Sequence, residues 1–234
     1  MTAVCCATRG EAGEPPQGSD LGPAELAAVR ERELHDAAAL LGVTRVDLLG
    51  FTDSGMSGPL DPGSLVGAPY ADVVEAVREK VAAFRPDVLV TLDASDGHRD
   101  HARIRDASLE AARVVGVPRA YVYCLPRSLM RRWAERMRAE RPDIEHLAAE
   151  VAMLGTPDDE LTTVVDTSDV LVAREQAIAA HASQTSPFEG LPPDLRMVFL
   201  GTDLLRRVLL PWSGGPPETF LAQRADASLA GSGG

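Results

Sequence analysis

Cationic side chains are scarce in this 234-residue chain: 23 Lys and Arg stand against 35 Asp and Glu, giving a net charge of −12. Phosphate backbones and anionic membranes are held by clustered Lys and Arg, so nucleic acid and membrane surfaces are excluded as partners. Cysteine is scarce too. Cys5, Cys6 and Cys124 are odd in number, form no CxxC and sit in apolar runs. They read as small buried side chains in a reducing cytoplasm rather than as a disulfide framework. No apolar run reaches the roughly 20 residues of a membrane span, and no secretory leader opens the sequence, so the expected location is cytoplasmic. Neither a GxGxxG nor a Walker pattern is present, which excludes a nucleotide cofactor.

What remains is an ordinary globular composition, 45% hydrophobic and 25% charged, long enough to bury a substantial core. Short apolar runs at Ala3–Ala7, Val46–Leu49, Val88–Val90, Ala120–Leu125, Leu161–Val165 and Val208–Leu210 predict strands. Between them the 3.6-residue period predicts helices from Pro23, over Tyr70–Phe84, Arg103–Val115 and Arg127–Glu140, from Ser168 or Asp169 to about Ser183, and over Asp194–Leu200. That alternation predicts a Rossmann-like α/β fold, a mostly parallel sheet between helix layers. Residues 1–212 read as one domain, and the Gly- and Ser-rich 213–234 as a disordered tail. Phe51–Pro69 is a long Gly- and Pro-rich loop, a length often tied to function.

The chemistry gathers after Val88–Val90. There Gly97-His98-Arg99-Asp100-His101 sets two histidines three apart amid Asp93, Asp96 and Asp100. Open α/β sheets bind ligands at the carboxyl ends of their strands, and imidazole with carboxylate is a common zinc set. Two histidines do not complete it, since a catalytic zinc takes three protein ligands. The alternative is a structural or surface role for both.

Five separated stretches together resemble the PIG-L / LmbE-like metal-dependent deacetylases: Thr8–Glu14, Arg30–Leu34, Asp53-Ser54-Gly55-Met56, Gly97–His101 and Ala180-His181-Ala182-Ser183-Gln184. Their order and spacing match over nearly the whole chain to about Pro211, nearest in character to bacterial N-acetyl-sugar deacetylases. The resemblance implies a zinc-dependent hydrolase, another divalent metal being an alternative. It would remove an N-acetyl group from a small-molecule amino sugar or its conjugate. His101 would be a metal ligand, His98 would when protonated stabilise the oxyanion, and Asp100 would orient or tune a histidine. Arg30 and Asp53 would hold the polar head of the substrate. Arg30 could instead pair with Glu31 or Glu33 on a helix surface, and Asp53 could be a turn residue only. His181 is either a second group at the site or a cation at a helix C-terminus. His35 and His146 read as silent surface residues. A homo-oligomer is left open.

The family signature Ala-His-Pro-Asp-Asp-Glu does not precede these motifs. It would supply two metal ligands and the general base on a central first strand. The expectation is therefore an LmbE-like fold with its first strand missing, a gap beside Val88–Thr91, and a natural protein that is longer. The alternative function is an inactive remnant that keeps the fold without metal. Pro157-Asp158-Asp159-Glu160 spells the tail of the signature, but Thr156 precedes it and it follows the HxxH. It reads as an acidic turn before a strand.

Overall fold

The structure is a computed structural model and describes residues 1–15, 18–140, 149–186, 188 and 191–221. His146 lies outside the described residues. In chain order the elements are β1 (Ala3–Cys6), α1 (Pro23–Leu40), β2 (Arg45–Leu48), α2 (Tyr70–Phe84), β3 (Val88–Leu92), α3 (Arg99–Val115), β4 (Arg119–Tyr123) and α4 (Arg127–Glu140). They continue with β5 (Thr163–Asp166), α5 (Leu171–Ala180), α6 (Pro193–Leu200) and β6 (Thr202–Leu209).

Local chemistry sets the helix ends. Pro23 supplies the pre-set φ of a first helical turn, and the Glu25 carboxylate accepts the Gly22 N–H at 3.0 Å to close the start of α1. Helix α2 buries Val73, Val77 and Val81 at four-residue steps; each such side chain contributes roughly 2 kcal/mol of burial. It stops at Arg85, held at φ 51°, because Pro86 disfavours the α conformation in the residue before it. Helix α3 starts four residues earlier than its apolar period suggests. His98 caps it, its ring nitrogen accepting the Asp100 N–H at 3.1 Å. The histidines therefore belong to a helix start rather than to a free loop.

β1 runs parallel to β2, from Ala3 opposite Arg45 to Cys6 opposite Leu48. The other sheet has the order β3-β4-β6-β5. β3 and β4 are parallel, while β6 runs antiparallel to both β4 and β5. The α/β class holds, and the sheet is mixed. The apolar run Val208–Leu210 understates β6, which spans eight residues because its charges are matched. Arg206 meets Asp93 at 3.2 Å and Glu160 at 3.1 Å, and Arg207 meets Glu218 at 2.6 Å. Glu218 also pairs through its backbone with Thr162 and Val164, and the Tyr121 hydroxyl donates to the Leu221 carbonyl at 2.8 Å. The expected disorder from residue 213 is thus corrected as far as Leu221, which is docked; residues 222–234 lie outside the described part.

One core joins α2, α3 and the Phe51–Pro69 loop through Leu65, Val73, Val77, Ala107 and Ala111. A second lies under α4 and α6, around Met130, Leu195 and Phe199. Among the described residues β1 and β3 do not pair. A cavity of about 1310 Å³ lies between them, bordered by Ala3 and Cys5 on one side and Val88–Leu92 on the other. Val90 is 46% and Leu92 39% exposed, unusual for aliphatic residues of an α/β sheet. The gap expected beside Val88–Thr91 is present. Cys124 is buried as expected, whereas Cys5, on the strand that borders the gap, is exposed. Among the described residues no helix is long and apolar enough to cross a membrane.

Candidate active site

The polar end of that cavity collects Arg30, Asp53, His98, Asp100, His101 and His181. All five residues assigned a role by the resemblance reach one cleft from three elements: α1, the Phe51–Pro69 loop and the start of α3.

The two imidazoles stack, with ring centroids 4.6 Å apart. Asp96 reaches the His101 ring and the His98 main chain: one carboxylate oxygen accepts the His98 backbone N–H at 3.1 Å and the other meets His101 Nδ1 at 2.5 Å. That hydrogen bond raises the His101 pKa, opposed by burial. For Asp96, burial pushes upward, but the hydrogen bonds from His101 and His98 outweigh it and the pKa is lowered. The contact fixes the His101 ring and leaves Nε2 for a ligand.

The Asp100 carboxylate makes no hydrogen bond to either imidazole among the described residues, and its charge adds, after the Asp96 hydrogen bond, to the upward push on the His101 pKa. Asp100 follows the cap and turns into the protein, 5% exposed, with one oxygen accepting the Ser54 N–H at 3.0 Å. Its other oxygen is buried and has no hydrogen-bond partner among the described residues. Asp96 takes the orienting place; its position in the loop just before a histidine was the available signal, since a short loop of this kind lets a carboxylate fold back on the helix it precedes. His98 Nδ1 accepts the Asp100 backbone N–H, which leaves Nε2 for other contacts.

Arg30 is not paired with Glu31 or Glu33: Glu31 takes Arg9 at 2.5 Å, and Glu33 takes Ser183. The guanidinium instead donates to the Gly10 and Glu14 carbonyls. It passes so close to the chain that a Cβ at Gly13 would lie 2.6 Å from Nη1. Its Nε is buried and unpartnered among the described residues. Asp53 is both a turn residue and a wall of the cavity: one oxygen accepts the Gly55 N–H at 2.7 Å, and its own N–H donates to Glu11 at 3.1 Å.

The loop that carries Asp53 is tied to α3. Arg99 donates to the carbonyls of Ser54, Gly55, Ser57 and Gly58, and Arg103 to those of Leu65, Val66 and Ala68. The acidic turn stays apart, as read from sequence: Asp158 binds Ser128 at the start of α4, and Glu160 binds Arg206.

Among the described residues no group of three His, Cys, Asp or Glu side chains is arranged to hold a metal ion. A catalytic zinc takes three protein ligands; the donors here amount to one well-oriented imidazole, His101, and the orphaned Asp100 oxygen. By itself this set does not fit a zinc.

The family model described as GlcNAc-PI de-N-acetylase, PIG-L, matches residues 1–112. Two curated relatives carry the likeness further. A 1D-myo-inositol 2-acetamido-2-deoxy-alpha-D-glucopyranoside deacetylase of Kineococcus radiotolerans is 34% identical, covering 82% of this chain and 63% of its own length. A deacetylase of the same description from Catenulispora acidiphila is 35% identical, covering 79% of this chain and 70% of its own. The chain thus spans less than two thirds of the first of these. Among solved structures, N,N'-diacetylchitobiose deacetylase from Pyrococcus horikoshii superposes with a TM-score of 0.57 at 20% identity, over 88% of this chain and 72% of that one, a likeness of fold.

Proposed function

Because the chain belongs to the PIG-L / LmbE-like family, we propose that it is a hydrolase removing the N-acetyl group from an amino sugar or amino-sugar conjugate of the GlcNAc type. The observation that carries this reading is the convergence of His98, His101, Asp53 and Arg30 on one cavity. In this role His98 donates its Nε2–H to the carbonyl oxygen as charge builds there, a contribution on the order of 3 kcal/mol in related oxyanion sites. The Asp53 oxygen not spent on Gly55 accepts a sugar hydroxyl, and the Arg30 guanidinium, which lines the same cavity, donates to another. Zinc is the proposed cofactor, with His101 as its ligand; holding it takes donors beyond those the described residues bring to His101. A cytoplasmic location belongs to the same proposal, supported by three free cysteines.

The incomplete donor set favours a second reading, a chain that keeps the sugar cleft without hydrolysing its ligand. Incubating the chain with 1D-myo-inositol 2-acetamido-2-deoxy-alpha-D-glucopyranoside, with and without zinc sulfate, separates the two. Acetate release with bound zinc supports the hydrolase. Sugar binding without acetate supports the second reading, and neither binding nor acetate removes both. Gly13→Ala gives a milder check. Its Cβ displaces the flexible end of Arg30 rather than backbone, so sugar affinity should fall about 3- to 10-fold, one lost hydrogen bond. The thermal midpoint should stay within about 2 °C of the parent; unchanged affinity by calorimetry would remove Arg30 from the binding role.

A further inference from the structure

The acidic turn 157–160 does not line the cavity, yet the residue before it reaches the loop that carries Asp96. Thr156 is 3% exposed and held at both ends: its N–H donates to the Leu125 carbonyl at 2.8 Å, and its carbonyl accepts the Arg127 N–H at 2.8 Å. Its hydroxyl, fixed in this way, donates to Asp93, the residue just after β3. Asp93 is itself 8% exposed, and its other oxygen accepts Arg206 Nη2 at 3.2 Å. Arg206 in turn pairs with Glu160, at the end of the same turn, at 3.1 Å. Asp93 is thus a buried carboxylate that the proposed chemistry does not use, and a buried charge is tolerated only where it is paired and hydrogen-bonded.

The main chain of this loop is pinned as well. The Asp93 N–H donates to the Tyr123 carbonyl at 3.1 Å, and the Asp93 carbonyl accepts Arg105 Nη1 at 2.7 Å. Two residues on, the Ser95 carbonyl accepts the Gly155 N–H at 3.1 Å. Gly155 packs so closely that a Cβ there would lie 2.8 Å from the Leu125 carbonyl oxygen, so this donor cannot shift. Between the two anchors lies Ala94, at φ 66°. The left-handed region crowds a Cβ against the following carbonyl, and such a conformation persists only where its surroundings over-determine it. The Gly97 N–H then closes a turn on the Ala94 carbonyl at 3.3 Å, and Asp96, inside that turn, meets His101 Nδ1 at 2.5 Å.

We propose that Asp93 and Thr156 are positioning residues for the reaction, with Arg206 and the Gly155 N–H completing the clamp: they hold the strained 94–97 turn in the shape that puts Asp96 on His101 Nδ1 and leaves Nε2 for a ligand. Neither Asp93, Thr156 nor Arg206 lines the cavity, so each acts through Asp96. The effect on rate rests on the amino-sugar hydrolase reading above; the effect on the His101 ring does not.

The test reads the tautomer of His101 in the whole chain by proton–nitrogen NMR, without substrate or metal, at about pH 9, where an imidazole is neutral. The hydrogen bond a ring makes sets its tautomer, so the parent should carry the proton on Nδ1. Thr156→Val keeps the side-chain shape, removes the hydroxyl and should move much of the population to the Nε2–H form. In the zinc-supplemented assay it should slow acetate release about tenfold with KM within about twofold, the lower end of the cost of losing a partner that orients a ligating histidine. Thr156→Ser, which keeps the hydroxyl, should match the parent. Ala94→Gly, which takes the Cβ out of the left-handed position, should restore the Nδ1–H form in the Thr156→Val background. Thr163→Val controls for general destabilisation: it removes another buried hydroxyl, one bonded to Glu218 at 3.0 Å, and should leave the ring as in the parent. Should Thr156→Val not fold, Arg206→Gln takes its place and is read in the same way. A parental tautomer in Thr156→Val, an equal shift in Thr163→Val, no restoration by Ala94→Gly, or a shifted tautomer with parental hydrolysis overturns the proposal. A parent that releases no acetate removes the hydrolase reading, and the hold on His101 is then decided by the tautomer alone.

Discussion

Gly67→Ala is expected to destabilise the protein by about 3 kcal/mol or more, the range for side chains forced into packed space. A Cβ at Gly67 would lie 1.9 Å from the Asp61 carbonyl oxygen and 2.8 Å from its carbon. Those are backbone atoms, and they cannot step aside. The Asp61 carbonyl accepts both the Ser64 N–H at 2.9 Å and the Ser64 hydroxyl at 2.7 Å, and Ser64 Oγ in turn accepts the Gly67 N–H at 3.2 Å. Leu65, between them, is 1% exposed and belongs to the core under α2 and α3. Relieving the clash means lifting this turn, which also strips Arg103 of its carbonyl partners and frees the strand of loop bearing Asp53 and Ser54. At roughly 2–4 °C per kcal/mol for a domain of this size, the thermal midpoint should fall by about 10 °C, with loss of sugar binding in step. A midpoint within a degree of the parent would mean the turn is not packed as described.

The same loop shows where sequence reading stops. Its length and its glycines marked it as a candidate for function, but nothing in the period of apolar residues announces that Arg99 and Arg103 would collect seven of its carbonyls. Contacts between backbone carbonyls and a distant arginine leave no local pattern. Elements with a clear period were legible: α2 spans Tyr70–Phe84 as its valines indicate, and β3 falls on the Val88 run. β6 was not, because Arg206 and Arg207 look like loop residues until Asp93, Glu160 and Glu218 are seen beside them. The start of α3 was hidden for a related reason: histidine is read for its chemistry, and here His98 also accepts a backbone N–H as a cap. The site followed the same rule. Motif likeness brought Arg30, Asp53, His98, Asp100 and His101 to one cavity, while the roles of Asp96 and Asp100 turned on which carboxylate the cap points inward.

That distinction leads to the prediction for His101. His101→Ala is expected to bring acetate release to background in a zinc-supplemented assay, since it removes the one oriented imidazole of the donor set. Asp96→Asn should lower it about 10- to 100-fold, the usual cost of losing a partner that holds a ligating histidine. Asp100→Asn should leave the His101 ring in place, because its carboxylate bonds to Ser54 rather than to an imidazole. Titration of the ring by NMR reads the same contact without turnover. The Asp96 hydrogen bond holds the His101 pKa above its ordinary value, so Asp96→Asn should bring it down and Asp100→Asn should move it less. The sign carries over to stability. A histidine whose folded pKa is raised contributes stability that is fully present below the unfolded value, near 6.5, and is lost as pH climbs through the higher folded value. Both side chains are about a third exposed, so solvent screening keeps that contribution small. The parent should therefore lose a little stability through that window and Asp96→Asn should not. If the His101 pKa is indifferent to Asp96→Asn, or His101→Ala hydrolyses at the parental rate, the Asp96–His101 pair has no part in the reaction.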